Sequence, residues 1–168
     1  MIASKKKSKT KSNHIVGMLV RDEPGVLTKI SGLFARRGFN IDTIIVGKTN
    51  IDNVSHVVIS LHANNEIIEQ LDKQVYKLVD VIKLADFDKE SSVVREHCLI
   101  KVASTEKTRE DMVNICKLHK AKVLNINHTS IIIEIVGKPK KIDSFISMMS
   151  KYGVKELSRS GVNALQRD

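Results

Sequence analysis

The chain contains no tryptophan, and its 168 residues include only four phenylalanines and two tyrosines, so its core cannot rest on aromatic packing. Aliphatic residues must supply it, and runs such as Thr43-Ile44-Ile45-Val46 and Ile131-Ile132-Ile133 have the composition of strands. Cysteine is equally scarce. Cys98 and Cys116 have seventeen residues between them and form no CxxC or Cys/His grouping. That favours free, buried thiols in a reducing compartment over a disulfide or a metal site. No apolar run approaches the ~20 residues of a membrane span, and the first residues lack the apolar stretch of a secretory signal. A cytoplasmic setting is expected, with no membrane partner. The six histidines (14, 56, 62, 97, 119 and 128) make no H-x3-H or HExxH pair, so no metal site is expected. GxSxG, P-loop and GxGxxG patterns are all missing. Asp42, Asp80 and Asp86 flank strands, while Glu66, Glu69 and Asp72 lie on the polar side of a helix. Nothing in this inventory argues for catalysis, and no cofactor is expected in this chain.

The length admits one ordinary domain or two small ones of about 75–80 residues. A unit that small buries only about 60% of its unfolded surface, which favours association. The net charge of +9 is unevenly spread. Residues 1–13 carry five lysines and no acid, residues 14–87 eight basic and nine acidic side chains, and residues 88–168 fifteen and ten. Residues 1–13 show no apolar periodicity after Ile2 and are expected to be a disordered, solvated basic tail. In the C-terminal half, Lys117, Lys120, Lys122, Lys138, Lys140 and Lys141 form either a solvated edge or a contact surface for an acidic partner.

From His14 the pattern is regular. His14 to Val20 reads as a strand, followed by the loop Asp22-Glu23-Pro24-Gly25. Val26, Leu27, Ile30, Leu33 and Phe34 then recur at helical spacing until Gly38. Ile41–Val46 and Val54–Leu61 read as strands. Asn64-Asn65 caps a helix with Ile67, Ile68, Leu71, Val75 and Leu78 on its apolar face, and a strand over Val79–Phe87 follows. Asp88 to Val94 is polar enough for a linker. The same order then repeats: a strand at Cys98–Ala103, a helix around Met112, Ile115, Cys116 and His119, strands at Val123–Asn127 and Ile131–Val136, a helix opened by Pro139, and a short strand at Val154–Leu157. The expected fold class is α+β, with two tandem ferredoxin-like (βαββαβ) units over residues 14–88 and 95–168.

The strand-to-helix loop carries the chemistry. Gly25 lets a ligand approach the backbone, and the first helical N–H groups near Gly25, Val26 and Leu27 lack internal partners. With the positive end of the helix dipole they suit a carboxylate, while Asp22 suits an ammonium. A zwitterionic amino acid needs both, although a Pro-Gly helix start is by itself more often a plain turn.

The pattern strand-DEPGVL-helix-RRGFNI resembles the ACT domain, a ferredoxin-like module that binds amino-acid effectors. More closely, Pro24-Gly25-Val26-Leu27, Ile30-Ser31-Gly32-Leu33-Phe34, Arg37-Gly38-Phe39-Asn40-Ile41, Lys77-Leu78-Val79-Asp80-Val81, Arg95-Glu96 and Arg159-Ser160-Gly161-Val162 are similar to the regulatory subunit of acetohydroxyacid (acetolactate) synthase. The likeness covers about residues 14 to 167. It implies a homodimer through the ACT units and a branched-chain amino acid, usually valine, held between them. Asp22, Gly25, Val26 and Leu27 would touch it from one subunit, and Asn40 and Ile41 from the other. It also implies feedback inhibition and a separate catalytic large subunit that uses thiamine diphosphate, Mg²⁺ and FAD, associating through the C-terminal unit. The family often has Asn where Asp22 stands, which bears on effector choice. Two alternatives stand beside this reading: an ACT sensor acting on a different enzyme, and an RNA-binding ferredoxin-like sheet. The second needs exposed strand aromatics that these Ile/Val-rich strands lack, so nucleic acid is not an expected partner.

Overall fold

The computed structural model describes residues 12–88 and 90–167. They fall into two compact units: residues up to Val93 with the chain's end from Ala164, and Val94–Asn163. The element order is β1 (Ser12–Arg21), α1 (Val26–Arg36), β2 (Thr43–Lys48), β3 (Val54–Ala63), α2 (Asn65–Val75), β4 (Val81–Asp86), β5 (Ser92–Ala103), α3 (Glu106–His119), β6 (Lys122–Ile126), β7 (Ser130–Gly137), α4 (Pro139–Ser150) and β8 (Val154–Gln166). The sheets run β2-β3-β1-β4 and β6-β7-β5-β8, the same order twice, as two ferredoxin-like units require.

Several boundaries differ from the sequence reading. β1 starts at Ser12, inside the expected tail, because β3 extends to Ala63 and supplies partners for Ser12 and Asn13. The rest of that tail, residues 1–11, lies outside the described residues. β4 begins at Val81, since the Val81 N–H is taken by the Leu78 carbonyl in a turn (3.0 Å). The expected linker is shorter, with Ser92 to Val94 already in β5. β8 does not stop at Leu157 but runs to Gln166.

In the first unit, alternate residues of β1 and β3 (Val16, Met18, Val20; Val57, Ile59, Leu61) meet Val26, Ile30, Leu33 and Phe34 of α1 and Ile68, Leu71 and Val75 of α2. Period 2 in the strands and about 3.6 in the helices aim one face of each at a shared core. α1 stops in a Schellman motif. Gly38, at φ +67, donates to the Ala35 carbonyl, and Phe39 N–H reaches back to Phe34 (both 3.0 Å). The Phe34 and Phe39 rings then close the end edge-to-face at 6.3 Å. Asn64 caps α2 by accepting the Ile67 N–H at 2.9 Å.

The second core is built the same way. Cys98, Ile100 and Val102 of β5 and Ile131, Ile133 and Ile135 of β7 face Met112 and Cys116 of α3 and Ile142, Phe145 and Met149 of α4. Both cysteines are buried and free. Arg159 on β8 grips the nearly buried Glu96 with two hydrogen bonds of 2.6 and 2.7 Å and reaches Asp143 on α4 at 2.7 Å.

Candidate functional site

The loop from Asp22 to Gly25 is exposed and leaves β1 through two backbone clamps. Arg21 N–H donates to the Asp80 carbonyl (2.9 Å), and Asp22 N–H donates to the Asn53 carbonyl (2.8 Å). The loop is thus tied to the α2–β4 turn on one side and to the β2–β3 hairpin on the other. A side-chain bond adds to this: Lys29 of α1 pairs with the mostly buried Asp80 carboxylate at 2.7 Å. None of Asn53, Lys29 and Asp80 was singled out for this role from the sequence. Asn53 carries a detectable signal, since asparagine tolerates the positive φ of 58° found there. The Lys29–Asp80 pair spans 51 residues and carries none.

Gly25 is the N-cap of α1 at φ +88, with no side-chain cap on the helix. A Cβ built on Gly25 would meet no atom of the described residues within 4 Å, so among them the helix mouth is open. The first intrahelical bond runs from Lys29 N–H to the Gly25 carbonyl at 3.0 Å. Helix geometry leaves the amides of the preceding turn without such partners. Val26 departs from expectation: its N–H turns toward the Glu23 carbonyl (3.3 Å), and its side chain is buried in the core. Leu27 is 45% exposed and offers an apolar surface beside the mouth. Asp22 is exposed three residues before Gly25.

Asn40 and Ile41 are not brought to this corner within one chain. They follow the C-terminal end of α1, whose 11 residues span about 16 Å. Asn40 is exposed, and Ile41 packs partly against the core.

The corresponding corner of the second unit carries the same clamps, Ala103 N–H to Gly153 C=O at 2.8 Å and Ser104 N–H to Thr129 C=O at 3.1 Å. Its helix mouth is filled, because Thr105 N–H donates to Thr108 Oγ1 (3.0 Å) and the two hydroxyls lie 3.1 Å apart. Two like corners therefore differ in one respect: only the first leaves its helix N-terminus uncovered.

Phe87, the aromatic at the end of the first sheet, is 9% exposed. Its ring lies where a Gly17 Cβ would be and meets His56 edge-on at 6.2 Å, so it presents no free stacking face. Among the described residues no group of three or more His, Cys, Asp or Glu could hold a metal ion. No helix among them is long and apolar enough to cross a membrane.

Residues 16–83 match the family described as AHAS small subunit-like ACT domain, and residues 95–168 match the family described as small subunit of acetolactate synthase. A protein of Archaeoglobus fulgidus named "Probable acetolactate synthase small subunit" is 40% identical over 92% of this chain and 96% of its own length. The acetolactate synthase small subunit of Mycolicibacterium smegmatis is 38% identical over 92% and 91%. The crystal structure of the small subunit from Thermotoga maritima superposes with a TM-score of 0.87 at 37% identity, covering 94% of this chain and 98% of that one.

Proposed function

The chain belongs to the family of acetolactate synthase small subunits, regulatory subunits with an ACT domain, and from that premise we propose how its first unit senses an effector. The effector is a branched-chain amino acid, valine first. Its carboxylate takes the uncapped first-turn amides of α1, where the dipole adds attraction. Its ammonium meets Asp22, and its side chain lies on Leu27. Residues 14–88 form the sensing unit, and residues 95–168 contribute to association with a catalytic large subunit.

A second copy completes the site. β2 is the edge of the first sheet, keeps regular register with β3 from Thr43 to Lys48, and exposes Ile44 (37%) and Val46 (47%). The equivalent edge strand β6 is interrupted by a register shift between Val123 and Asn125, a feature that blunts strand pairing. Two-fold antiparallel pairing of β2 with its copy sets the start of one β2 against the end of the other. The end of β2 lies beside the effector loop, since Lys48 pairs with Ser55 and Arg21 with the adjacent Val54. Asn40 and Ile41, just before β2, therefore arrive from the second copy at the corner they cannot reach in their own chain.

The catalytic chemistry, with thiamine diphosphate, Mg²⁺ and FAD, belongs to the large subunit, in the cytoplasm. Association raises its activity and effector capture reverses part of the gain. The effector needs only a differential affinity for two arrangements of the dimer. A coupling of about 1–3 kcal/mol gives roughly 5- to 150-fold regulation.

The observation that carries this reading is the open mouth of α1 at Gly25. Calorimetric titration with valine, leucine and isoleucine tests it, repeated on Gly25→Asp. Aspartate tolerates positive φ better than most residues, so the variant should keep its thermal transition within a few degrees while losing the heat of binding. Unchanged binding by a folded Gly25→Asp chain refutes the site.

A further inference from the structure

The regulatory reading gives residues 95–168 a share in association but does not say how the sensing unit reaches the catalytic subunit, and that first unit has one surface suited to the task. From the end of α2 into β4 stand Tyr76 (65% exposed), Val79 (81%) and Ile82 (55%), large side chains left largely uncovered by the described residues. Scattered exposed apolar residues need no explanation, but three large ones within seven positions, on one turn and the strand it leads into, stand out as a candidate patch. Ile82 owes its position to an irregularity in β4. Leu19 pairs with Lys83 and Val20 with Val81, so Ile82 is the extra residue of a bulge. Bulges at sheet edges re-aim a side chain and block strand pairing. β4 is the edge opposite β2. The patch therefore stays free when two copies pair through β2, and a partner must engage it through side chains.

The charges decide the occupant. Lys77 and Lys83 are exposed on the same stretch, while its acid, Asp80, is buried and held by Lys29. Packed on itself by a two-fold axis, the patch would set lysines against lysines. An apolar surface with an acidic rim on a different chain is the complementary partner.

The patch is also wired to the effector loop. Asp80 lies between Val79 and Val81. Its carbonyl holds Arg21 N–H at the start of the loop, and its carboxylate holds Lys29, one turn inside the helix whose mouth is Gly25. A ligand that shifts the first turn of α1 pulls on Asp80 and so on Val79. From this geometry we infer that the Tyr76–Val79–Ile82 corner is the first unit's own contact with the catalytic subunit, beside that of residues 95–168, and the place where effector occupancy is transmitted. The inference rests on the regulatory reading above.

The test uses the full chain and its purified catalytic subunit. Acetolactate formation is followed as small subunit is added, with Val79→Asp and Ile82→Asp compared with wild type. Both positions are exposed, so the fold should survive, which a thermal scan verifies. The concentration for half-maximal stimulation should rise at least tenfold, while light scattering still reports a dimer and valine gives the same heat. Gln70→Asp, at an exposed position of α2 outside the patch, should leave stimulation unchanged. Lys29→Met should keep association and valine binding but lose the effect of valine on stimulation. Stimulation unaltered by both patch variants overturns the docking surface, as does an equal loss in Gln70→Asp. Dissociation of the small-subunit dimer by Val79→Asp assigns the patch to self-association instead and overturns it too. Full valine inhibition in Lys29→Met overturns the wiring. A wild-type chain that stimulates but takes up no valine sinks the effector reading and leaves the docking surface standing.

Discussion

Replacing Arg159 with leucine should cost more stability than deleting any exposed charge in the chain. Glu96 is 3% exposed, and its two carboxylate oxygens accept from Arg159 Nε and Nη2 at 2.6 and 2.7 Å. The carboxylate in turn holds the guanidinium's pKa above its already high value. In Arg159→Leu the carboxylate stays buried with its charge uncompensated, a situation that costs about 3–5 kcal/mol. The Arg159 side chain is one-third exposed (34%), so solvent screens part of the pair and the lower end, about 3 kcal/mol, is expected. Loss of the bond to the exposed Asp143 adds little, as surface pairs contribute about 0–1 kcal/mol. The double variant Glu96→Leu/Arg159→Leu removes both charges and replaces them with apolar volume, which is often neutral or stabilising. It should return to within about 1 kcal/mol of wild type. The assay is equilibrium urea unfolding in a Tyr76→Phe background, where fluorescence of the remaining tyrosine, Tyr152, reports on the second unit. A single variant that costs less than about 1 kcal/mol, or a double variant no better than the single, refutes the reasoning.

Two further outcomes follow from burial. Burial raises the Asp72 pKa, neighbouring Asp86 raises it further, and His14 partly offsets both. One Asp72 oxygen is also buried with no hydrogen-bond partner among the described residues. A carboxyl whose folded pKa is raised contributes stability that is present below its unfolded value, near 3.9, and is lost as pH rises through the folded value. Asp72→Asn should therefore stabilise the chain at pH 7 and give no gain at pH 3; pH-resolved thermal unfolding checks this, and an equal gain at both values contradicts it. Burial likewise raises the Cys98 thiol and pushes Cys116 up to about 11. Because the thiolate is the reactive form, neither should react with a disulfide reagent at pH 8 until urea unfolds the chain, and rapid labelling of the native protein would contradict their placement.

The two βαββαβ units were legible in the sequence because their signals are local. Val26, Ile30, Leu33 and Phe34 form one helical stripe whatever they pack against, Gly38 supplies a positive φ where a Schellman turn needs it, and Asn64 finds the Ile67 amide within its own turn. The strand-to-helix loop was legible for the same reason: Pro24-Gly25 marks a helix start, whose first amides lack intrahelical partners by helix geometry alone. Tertiary structure decided what depends on distant partners. The long run of β8 brings Gln166 to Ser92, 74 residues back, and the Arg159–Glu96 grip joins positions 63 residues apart. The Lys29–Asp80 bond spans 51, and the β4 bulge that turns Ile82 outward exists only against β1. It also separated the corner at Gly25, where a Cβ would meet nothing, from its counterpart at Thr105, closed by a threonine three residues on. Spacing along the chain determines which groups a turn or helix can present. Whether such a group is free or taken depends on what the fold carries to it from elsewhere.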